Sequence, residues 1–532
     1  MDLAYRFRME LPSRREAADP TMVVFHNKYW LFPSKSGGYW YSGNLLDWKF
    51  VASSGYPVED YAPTAVVIAG KLYLTAGGTH GLFSTDDPAS GRWRQVADFG
   101  RSYTDPDLFL DDDGHLYVYY GASGTGPLSV TELNRKNRFK PLRTKEITSA
   151  RDPMHRGWEV PGDHNELLNE QTWIEGSWMT KHGGKYYLQY AAPGTEYKSY
   201  ADGVLLANRP MGPFTYAPYS PFSAKPTGFI AGAGHGSTFQ GLDGEWWHVG
   251  TMTVSVRHMF ERRLGLFPSF FEPDGQLVTD TYLGDYPHRI GGNRGLAGWM
   301  LLSYGKPVIA SSTLTSFTPE KAVDENIRTW WSAKSGNAGE WFQVDLGAGK
   351  RIDAVQINFA DLGSTALGRL RDTYRYKLEV SNDGSTWRTI VDHSKKGRDS
   401  VDDYEPLEKA TDARYVKIVN FHMPAGALFS LSGLRVFGNG LGHLPMAVTG
   451  ITAQRDSRDG RRARIEWQPV ENADFYIVRF GLRPDRMFQN YQVYKSTHLD
   501  LRSLTIGVSY AVTVDAVNEN GIRRVTSIIE MK

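Results

Sequence analysis

Five short aromatic segments recur through the first 290 residues, and this repeat constrains the fold more than any other feature. Each follows a polar turn, and the segments are Asn27–Leu31, Gly70–Leu74, Gly114–Val118, Gly184–Leu188 and Gly244–His248. Successive segments lie about 40–70 residues apart, which suits four-stranded propeller blades that carry loop insertions. Convincing helical periodicity is hard to find here, whereas Gly, Asp and Asn turns recur. We therefore predict an all-β fold with a five-bladed β-propeller over residues 1–295.

Two further β-rich regions follow the predicted propeller. Residues 300–440 contain alternating strands such as Trp341–Leu346 and Tyr376–Val380, which indicate an antiparallel β-sandwich. Residues 445–532 alternate in the same way, for example over Ser509–Val514, and predict a smaller sandwich. The expected architecture is a five-bladed β-propeller followed by two β-sandwich domains, and 532 residues suffice for three domains.

The composition excludes several classes of protein. The chain has no cysteine, which rules out disulfides, Fe–S clusters and thiol nucleophiles. A formal net charge of +1 argues against nucleic acid as a partner, and no apolar run reaches membrane-spanning length. Met1–Arg6 lacks the apolar core of a signal peptide. We expect a monomer that is secreted, periplasmic or at the cell surface, its leader absent from this sequence, with a cytoplasmic location as the alternative.

Three acidic motifs occur in phase with the repeats: Ala18-Asp19-Pro20, Thr104-Asp105-Pro106 and Glu175-Gly176-Ser177. Each stands just before a strand, and we expect the prolines to hold the preceding aspartates extended. The innermost strand of every blade faces the propeller axis, so the three carboxyl groups would meet at one end of the channel. Glycoside hydrolysis uses two such groups, and a third raises the pKa of the acid. A single Asp-Pro pair would be an ordinary turn, but three in phase favour a site.

The residues around these motifs resemble glycoside hydrolase family 43, five-bladed propeller enzymes that act on arabinosides, xylosides and some galactosides. The resemblance covers residues 15–290, and the matching stretches are Ala18–Thr21, Tyr61–Pro63, Asp105–Gly114, Glu175–Trp178 and Gly234–Ser237. It implies an inverting mechanism in which Asp19 is the general base and Glu175 the general acid. Asp105 would adjust the acidity of Glu175 and orient it. No cofactor or catalytic metal is expected for the chemistry.

The resemblance also implies residues that bind substrate. His235 matches the family histidine near the axis, which contacts substrate or a central calcium through water. Arg262 matches an arginine that reaches the −1 sugar, and Arg263 is the alternative register.

Three aromatic residues are candidates for stacking on sugar, or else for packing in the core or rim: Trp40, Tyr61 and Trp173. The chain departs from the family pattern at Tyr61, where Trp is usual, and at Ser177, where Pro usually follows Glu-Gly. Both departures leave the substrate open.

The appended regions carry resemblances of their own. Residues 300–438 resemble the discoidin, or F5/8 type C, domain in Lys321–Asp324, Thr329–Trp331 and Trp341–Gly347. Such domains bind carbohydrate through loop aromatics, or they pack as structural modules. Residues 445–532 resemble a fibronectin type III domain, which would act as a spacer.

Two places have the appearance of metal sites. Relatives of the discoidin domain bind a structural calcium around the positions of Asp324, Asn326 and Thr329, with an acid where this chain has Gly433. Asp111-Asp112-Asp113-Gly114 has metal-ligand spacing, but a β-hairpin turn explains it better.

The leading functional hypothesis is an exo-acting glycosidase of polysaccharide side chains, with oligo- or polysaccharide as partner and α-L-arabinofuranoside first as substrate. β-Xyloside and galactoside or galactofuranoside are alternatives on the same fold. A retaining, fructosidase-like enzyme and a non-catalytic glycan-binding protein are the other hypotheses. The presence of all three acids argues against the last.

Overall fold

A computed structural model describes residues 15–58, 60–292, 294–365 and 372–531. These residues form β-strands and turns, and the helices among them are short 3₁₀ segments: Pro88–Ser90, Thr148–Ala150, Gly157–Glu159, Pro319–Ala322 and Pro424–Gly426. The predicted all-β class is confirmed. Within the described residues, no helix has the length and apolar character needed to cross a membrane. Met1–Arg6 lies outside them.

Residues 21–279 form five four-stranded antiparallel sheets that follow one another along the chain. The first two sheets are β1 (Thr21–Phe25), β2 (Lys28–Phe32), β3 (Gly38–Ser42) and β4 (Lys49–Ala52), then β5 (Thr64–Ile68), β6 (Lys71–Thr75), β7 (Gly81–Thr85) and β8 (Arg94–Asp98). The third comprises β9 (Asp107–Leu110), β10 (Leu116–Tyr120), β11 (Leu128–Asn134) and β12 (Lys140–Ile147). The last two are β13 (Glu175–His182), β14 (Lys185–Ala192), β15 (Ala201–Ala207) and β16 (Thr215–Tyr216), then β17 (Ala231–Gln240), β18 (Trp246–Thr253), β19 (Arg262–Phe271) and β20 (Leu277–Thr279).

The first strands of the five sheets surround one axis. Strands β1, β5, β9, β13 and β17 contact one another in cyclic order, and β17 against β1 closes the ring. Side chains join neighbouring strands: the backbone N–H of Leu108 donates to Thr64 Oγ1 (2.9 Å), and that of Met179 donates to Asp107 Oδ2 (2.7 Å). This is the arrangement of a β-propeller, and it brings the starts of the inner strands together.

The aromatic segments of the sequence repeat form the second strand of each sheet. Their large side chains are buried, for example Trp30 in β2 and Trp247 in β18, and they pack between adjacent sheets. The acidic run Asp111–Gly114 is the turn between β9 and β10, closed by a hydrogen bond from Gly114 N–H to the Asp111 carbonyl (2.9 Å). The hairpin explanation of this run is confirmed.

A hairpin of β21 (His288–Arg289) and β22 (Gly295–Leu296) leads into the unit that we call the first sandwich. Its strands are β23 (Met300–Leu301), β24 (Val308–Ala310), β25 (Trp331–Ser332), β26 (Trp341–Phe359), β27 (Arg375–Ser381), β28 (Arg388–Asp392), β29 (Asp402–His422) and β30 (Ser430–Asn439). The long strands β26 and β29 change register partway along their length. They enclose one apolar core that includes Trp331 and Phe342.

The second sandwich has two sheets around a separate core that includes Trp467 and Tyr476. One sheet contains β31 (Thr452–Arg455), β32 (Ala463–Glu466) and β35 (His498–Leu501). The other contains β33 (Phe475–Gly481), β34 (Gln489–Tyr494), β36 (Tyr510–Asn518), β37 (Gly521–Arg523) and β38 (Ile529–Met531).

Candidate active site

A residue with a left-handed backbone lies just before β1, β5 and β9, at the second position of β13 and inside β17. The φ angles are 48° at Asp19, 44° at Ala62, 47° at Asp105, 64° at Gly176 and 40° at His235. The expectation that proline holds the two aspartates extended is therefore wrong. A left-handed non-glycine residue is unfavourable and persists where its surroundings impose it.

Asp19 is held as a carboxylate. Arg262 Nη1 donates a hydrogen bond to Asp19 Oδ1 (2.9 Å), and the hydroxyl of Ser34 donates to Oδ2 (2.7 Å). His235 Nδ1 lies 3.3 Å from the same Oδ1. Burial alone would raise the pKa of Asp19, but the charges of Arg262 and His235 outweigh it, so this pKa lies below its usual value. Asp19 can therefore accept a proton near neutral pH.

Glu175 and Asp105 are the other two carboxyl groups of the cluster. The Tyr200 hydroxyl donates to Glu175 Oε1, and Trp173 Nε1 donates to Oε2 (2.7 Å). Asp105, Glu175 and His235 each place a polar atom within 4.8 Å of the others. Burial and the neighbouring Glu175 carboxylate raise the pKa of Asp105 to about 8, against the opposing charge of His235. Because two carboxylates this close do not both ionise readily, Asp105 holds a proton at neutral pH.

His235 connects the two carboxyl groups. Its backbone N–H donates to the buried Asp202 Oδ1 (2.7 Å), and its Nδ1 lies 3.8 Å from Asp105 Oδ2 as well as close to Asp19. Burial lowers the pKa of His235, but Asp19 and Asp105 more than compensate, and the net pKa is above its ordinary value. A Cβ on Gly176 would lie 2.8 Å from His235 Cγ. The glycine after Glu175 therefore makes room for the imidazole.

The two arginine registers are distinguished by their partners. Arg262 contacts Asp19 and also donates from Nη1 to Thr195 Oγ1 (3.3 Å). Arg263 instead donates from Nε to Asp402 Oδ2 of the first sandwich (3.0 Å). Arg262 is thus the arginine at the acidic cluster, and Arg263 joins two units of the chain.

The aromatic candidates divide between site and core. Trp173 is 44% exposed and contacts Glu175 directly. Tyr61 packs 5.5 Å from the Phe260 ring, which in turn lies 5.0 Å from the Arg262 guanidinium. Trp40 is only 4% exposed and packs on Phe50, so it is not brought to the cluster and cannot stack on sugar.

Several side chains around the cluster were not predicted from the sequence: Ser34, Thr195, Tyr200, Asp202 and Thr251. Thr251 Oγ1 accepts the backbone N–H of Asp19 (2.8 Å), and Asp202 accepts two backbone N–H groups, from His235 and Gly236. None of them belongs to a sequence motif. Each is placed at the site by the pairing of strands or by the course of a loop, which the sequence pattern does not reveal. Only Thr251 could have been found from the sequence pattern. It lies in β18 opposite Gly234 of β17, the residue before His235.

The residues around Asp324 do not fit the calcium site that the discoidin resemblance implies. Asp324 accepts hydrogen bonds within its own loop, from Asn326 N–H (3.0 Å) and the Thr329 hydroxyl (2.6 Å), and the misfit lies at the second acid. Gly433 offers no carboxylate at the position of the second acid. A Cβ there would also lie 2.9 Å from the Phe229 ring.

Family models match two regions of the chain. Residues 13–277 match the model described as glycosyl hydrolases family 43, and residues 307–429 match the F5/8 type C domain. The first match covers the five sheets up to the first residue of β20 and every side chain of the acidic cluster. The second covers most of the first sandwich.

Similar proteins carry names of the same kind. A xylosidase/arabinosidase of Bacteroides ovatus is 31% identical over 254 residues, covering 37% of this chain and 76% of that protein. A β-xylosidase of Xylanibacter ruminicola is 28% identical over 259 residues, covering 37% and 77%. A β-D-galactofuranosidase of Aspergillus niger is 25% identical over 239 residues, covering 38% and 64%.

A solved structure named as a glycoside hydrolase aligns with 79% of this chain and 97% of its own length, at 19% identity and a TM-score of 0.47. The sequence matches are stronger, since the Bacteroides protein exceeds 30% identity over three quarters of its length. Together with the cluster of Asp19, Asp105 and Glu175, they show that this chain belongs to glycosyl hydrolase family 43 and is a glycoside hydrolase.

Proposed function

We propose that the protein is an inverting, exo-acting glycosidase that removes terminal α-L-arabinofuranosyl residues from oligo- or polysaccharide side chains. The supporting observation is the contrast between two aspartates of one cluster. Arg262 keeps Asp19 anionic, whereas burial and the adjacent Glu175 raise the pKa of Asp105 to about 8, so that a proton is held beside Glu175. An inverting glycosidase needs one base and one acid in these states.

The proposed reaction uses each group once. Asp19 takes a proton from water while the water oxygen bonds to the anomeric carbon. Glu175 gives its proton to the glycosidic oxygen as the bond between that oxygen and the anomeric carbon breaks. Asp105 keeps the proton available to Glu175, and proton exchange with solvent then restores both carboxyl groups. Arg262 and His235 bind the sugar beside Asp19, and Tyr61 and Trp173 line the site.

Enclosure of the base favours action at a chain end. Asp19, His235 and Arg262 are all buried, so a terminal sugar reaches them more readily than the middle of a polysaccharide. β-Xyloside is the second candidate substrate, because two of the similar proteins are named β-xylosidase and xylosidase/arabinosidase. Galactofuranoside is the third, from the similar Aspergillus protein.

A panel of nitrophenyl glycosides tests the substrate. We expect the largest kcat/KM on α-L-arabinofuranoside, with β-xyloside next and galactoside or galactofuranoside lower. Proton NMR of the first-formed sugar tests the stereochemistry, and we expect the anomer opposite to that of the substrate. The same anomer would indicate retention, and hydrolysis of none of these glycosides would favour a non-catalytic glycan-binding protein.

Asp105→Asn should move the alkaline limb of the pH–activity profile. In the wild type Asp105 retains its proton, beside Glu175, up to about pH 8. An asparagine cannot hold this proton for the proposed acid, so the limb should shift to lower pH by at least about one unit. The measurement is kcat/KM from pH 5 to about 9. An unchanged alkaline limb would show that Asp105 does not affect the general acid.

The same substitution should change how stability depends on pH. The raised pKa means that the folded protein binds an additional proton at Asp105 between pH 3.8 and about 8. The free energy of unfolding contributed by this group therefore falls as the pH rises through that window. In Asp105→Asn the free energy of unfolding should lack this contribution and so fall less as the pH rises. Melting temperatures of both proteins, measured from pH 4 to about 8, would show the difference.

We further propose roles for the rest of the chain. The three domains would span residues 1–295, 300–440 and 445–532. The F5/8 type C unit would bind glycan, and the last unit would be a fibronectin type III spacer. We propose a monomer that works outside the cytoplasm, where polysaccharide is found.

A further inference from the structure

An arginine of the first sandwich reaches across to two loops of the propeller beside the acidic cluster. Arg328 precedes β25, yet its Nη1 donates to Asp163 Oδ2 (2.7 Å) and its Nη2 donates to the carbonyl of Glu196 (3.1 Å). We propose that Arg328 is a positioning residue for the glycosidase reaction: it holds the loop that orients Glu175. This inference rests on the proposed function.

The loop concerned comprises residues 193–200, between β14 and β15, and contacts both sides of the cluster. Near its start, Thr195 Oγ1 accepts a hydrogen bond from the Arg262 guanidinium that holds Asp19. At its end, Tyr200 donates to Glu175. A displacement of this loop would therefore alter the surroundings of the proposed base and the proposed acid together.

Arg328 ties this loop to a second one, residues 157–172. Asp163 of that loop accepts from Arg328 with one oxygen and from the backbone N–H of Lys198 with the other (2.8 Å). The Ser199 hydroxyl donates to the Gly162 carbonyl (2.7 Å). One guanidinium thus completes a network that joins two propeller loops to the sandwich.

The backbone next to Arg328 is held by buried contacts. The adjacent Ile327 N–H donates to the Phe229 carbonyl of the propeller (3.0 Å). Two residues from Ile327, buried Glu325 pairs with Arg435 Nε (2.9 Å) and Nη2 (2.8 Å). Buried, hydrogen-bonded ion pairs hold a single geometry better than exposed ones do. Arg328 therefore extends from a rigid support and can restrain the more exposed loops.

The Arg328–Asp163 ion pair is partly buried, with its side chains 19% and 31% exposed, and solvent that reaches such a pair keeps its contribution to stability small. Removing the arginine should consequently leave the fold intact while loosening the 193–200 loop. Lysine cannot replace it fully, because an ammonium lacks the planar fork that serves a carboxylate and a carbonyl at once. The expected order of activity is wild type, then Arg328→Lys, then Arg328→Ala.

We expect Arg328→Ala to lower kcat by about tenfold, since a small displacement of reacting groups has a large effect on rate. The value of KM should change by less than about threefold, because no contact to the sugar itself is removed. Arg414→Ala is the matched control: it removes a two-hydrogen-bond pair with Asp345 inside the same sandwich (2.8 Å each). Its kcat should equal that of the wild type.

Hydrogen–deuterium exchange supplies a readout independent of activity. Peptides covering residues 193–200 should exchange faster in Arg328→Ala than in the wild type or Arg414→Ala, at equal melting temperature. Unchanged exchange there, or unchanged kcat despite faster exchange, would overturn the inference. Failure of the proposed function is distinguishable, because the wild type would then hydrolyse no glycoside while the exchange result still decides whether Arg328 holds the loop.

Discussion

Asp19→Asn should lower kcat about a thousandfold, the loss expected when a general base is removed. The asparagine side chain has nearly the same shape, but it cannot take a proton from the attacking water. Wild-type Asp19 is anionic because Arg262 donates to one oxygen and Ser34 to the other. The measurement is the rate on the best nitrophenyl glycoside, with circular dichroism to verify the fold.

This substitution also leaves Arg262 without its carboxylate partner, so a loss of stability must be separated from a loss of chemistry. Asp402→Asn provides the comparison, because it breaks the analogous pair of the next residue, Arg263, away from the cluster (3.0 Å). We expect Asp402→Asn to retain activity within about threefold. Near-wild-type turnover by Asp19→Asn would remove this carboxylate from the mechanism.

Glu175→Gln should produce an equally large loss, but one that depends on the leaving group. Glutamine keeps the shape of Glu175 and one carbonyl oxygen, which can accept the hydrogen bond of either Tyr200 or Trp173, but its amide has no acidic proton to donate. An oligosaccharide needs that proton on its departing oxygen, so kcat should fall by about a thousandfold. Dinitrophenolate, by contrast, leaves without being protonated. The kcat of Glu175→Gln on a dinitrophenyl glycoside should therefore fall far less.

The contrast between the two substrates is the decisive measurement for Glu175. A merely structural role would reduce both rates by the same factor. Glu170→Gln is a suitable control, since this carboxyl accepts a hydrogen bond from Tyr197 of the 193–200 loop without touching the cluster (3.0 Å). Equal losses on both substrates in Glu175→Gln would contradict its assignment as the acid.

Part of the site could be predicted because, in a fold built of repeats, residues at equivalent places in the repeat lie at equivalent places around the axis. Asp19, Asp105 and Glu175 each occur where an inner strand begins, so their convergence followed once the repeat was recognised. The local backbone did not follow: a residue before proline is ordinarily extended, but Asp19 and Asp105 are left-handed. Local preference was overridden by the turns that precede β1 and β9.

Residue type alone could not separate site from core among the aromatics. Trp40 and Trp173 are chemically identical, yet one is packed between sheets and the other donates to Glu175. The sequence likewise left Arg262 and Arg263 as alternatives. Strand register decides between them, since adjacent residues of β19 present their side chains to opposite faces.

The sequence by itself determined the all-β class, the repeat of the propeller and the carboxyl groups of the candidate site. These features depend on periodic patterns, which can be read directly along the sequence. Only the tertiary structure decided the partners that set protonation and position, such as Ser34, Tyr200 and Arg328. These contacts join residues far apart along the chain, Arg328 and Asp163 by 165 positions. They depend on register and on the packing of one unit against another, and no local pattern encodes that packing.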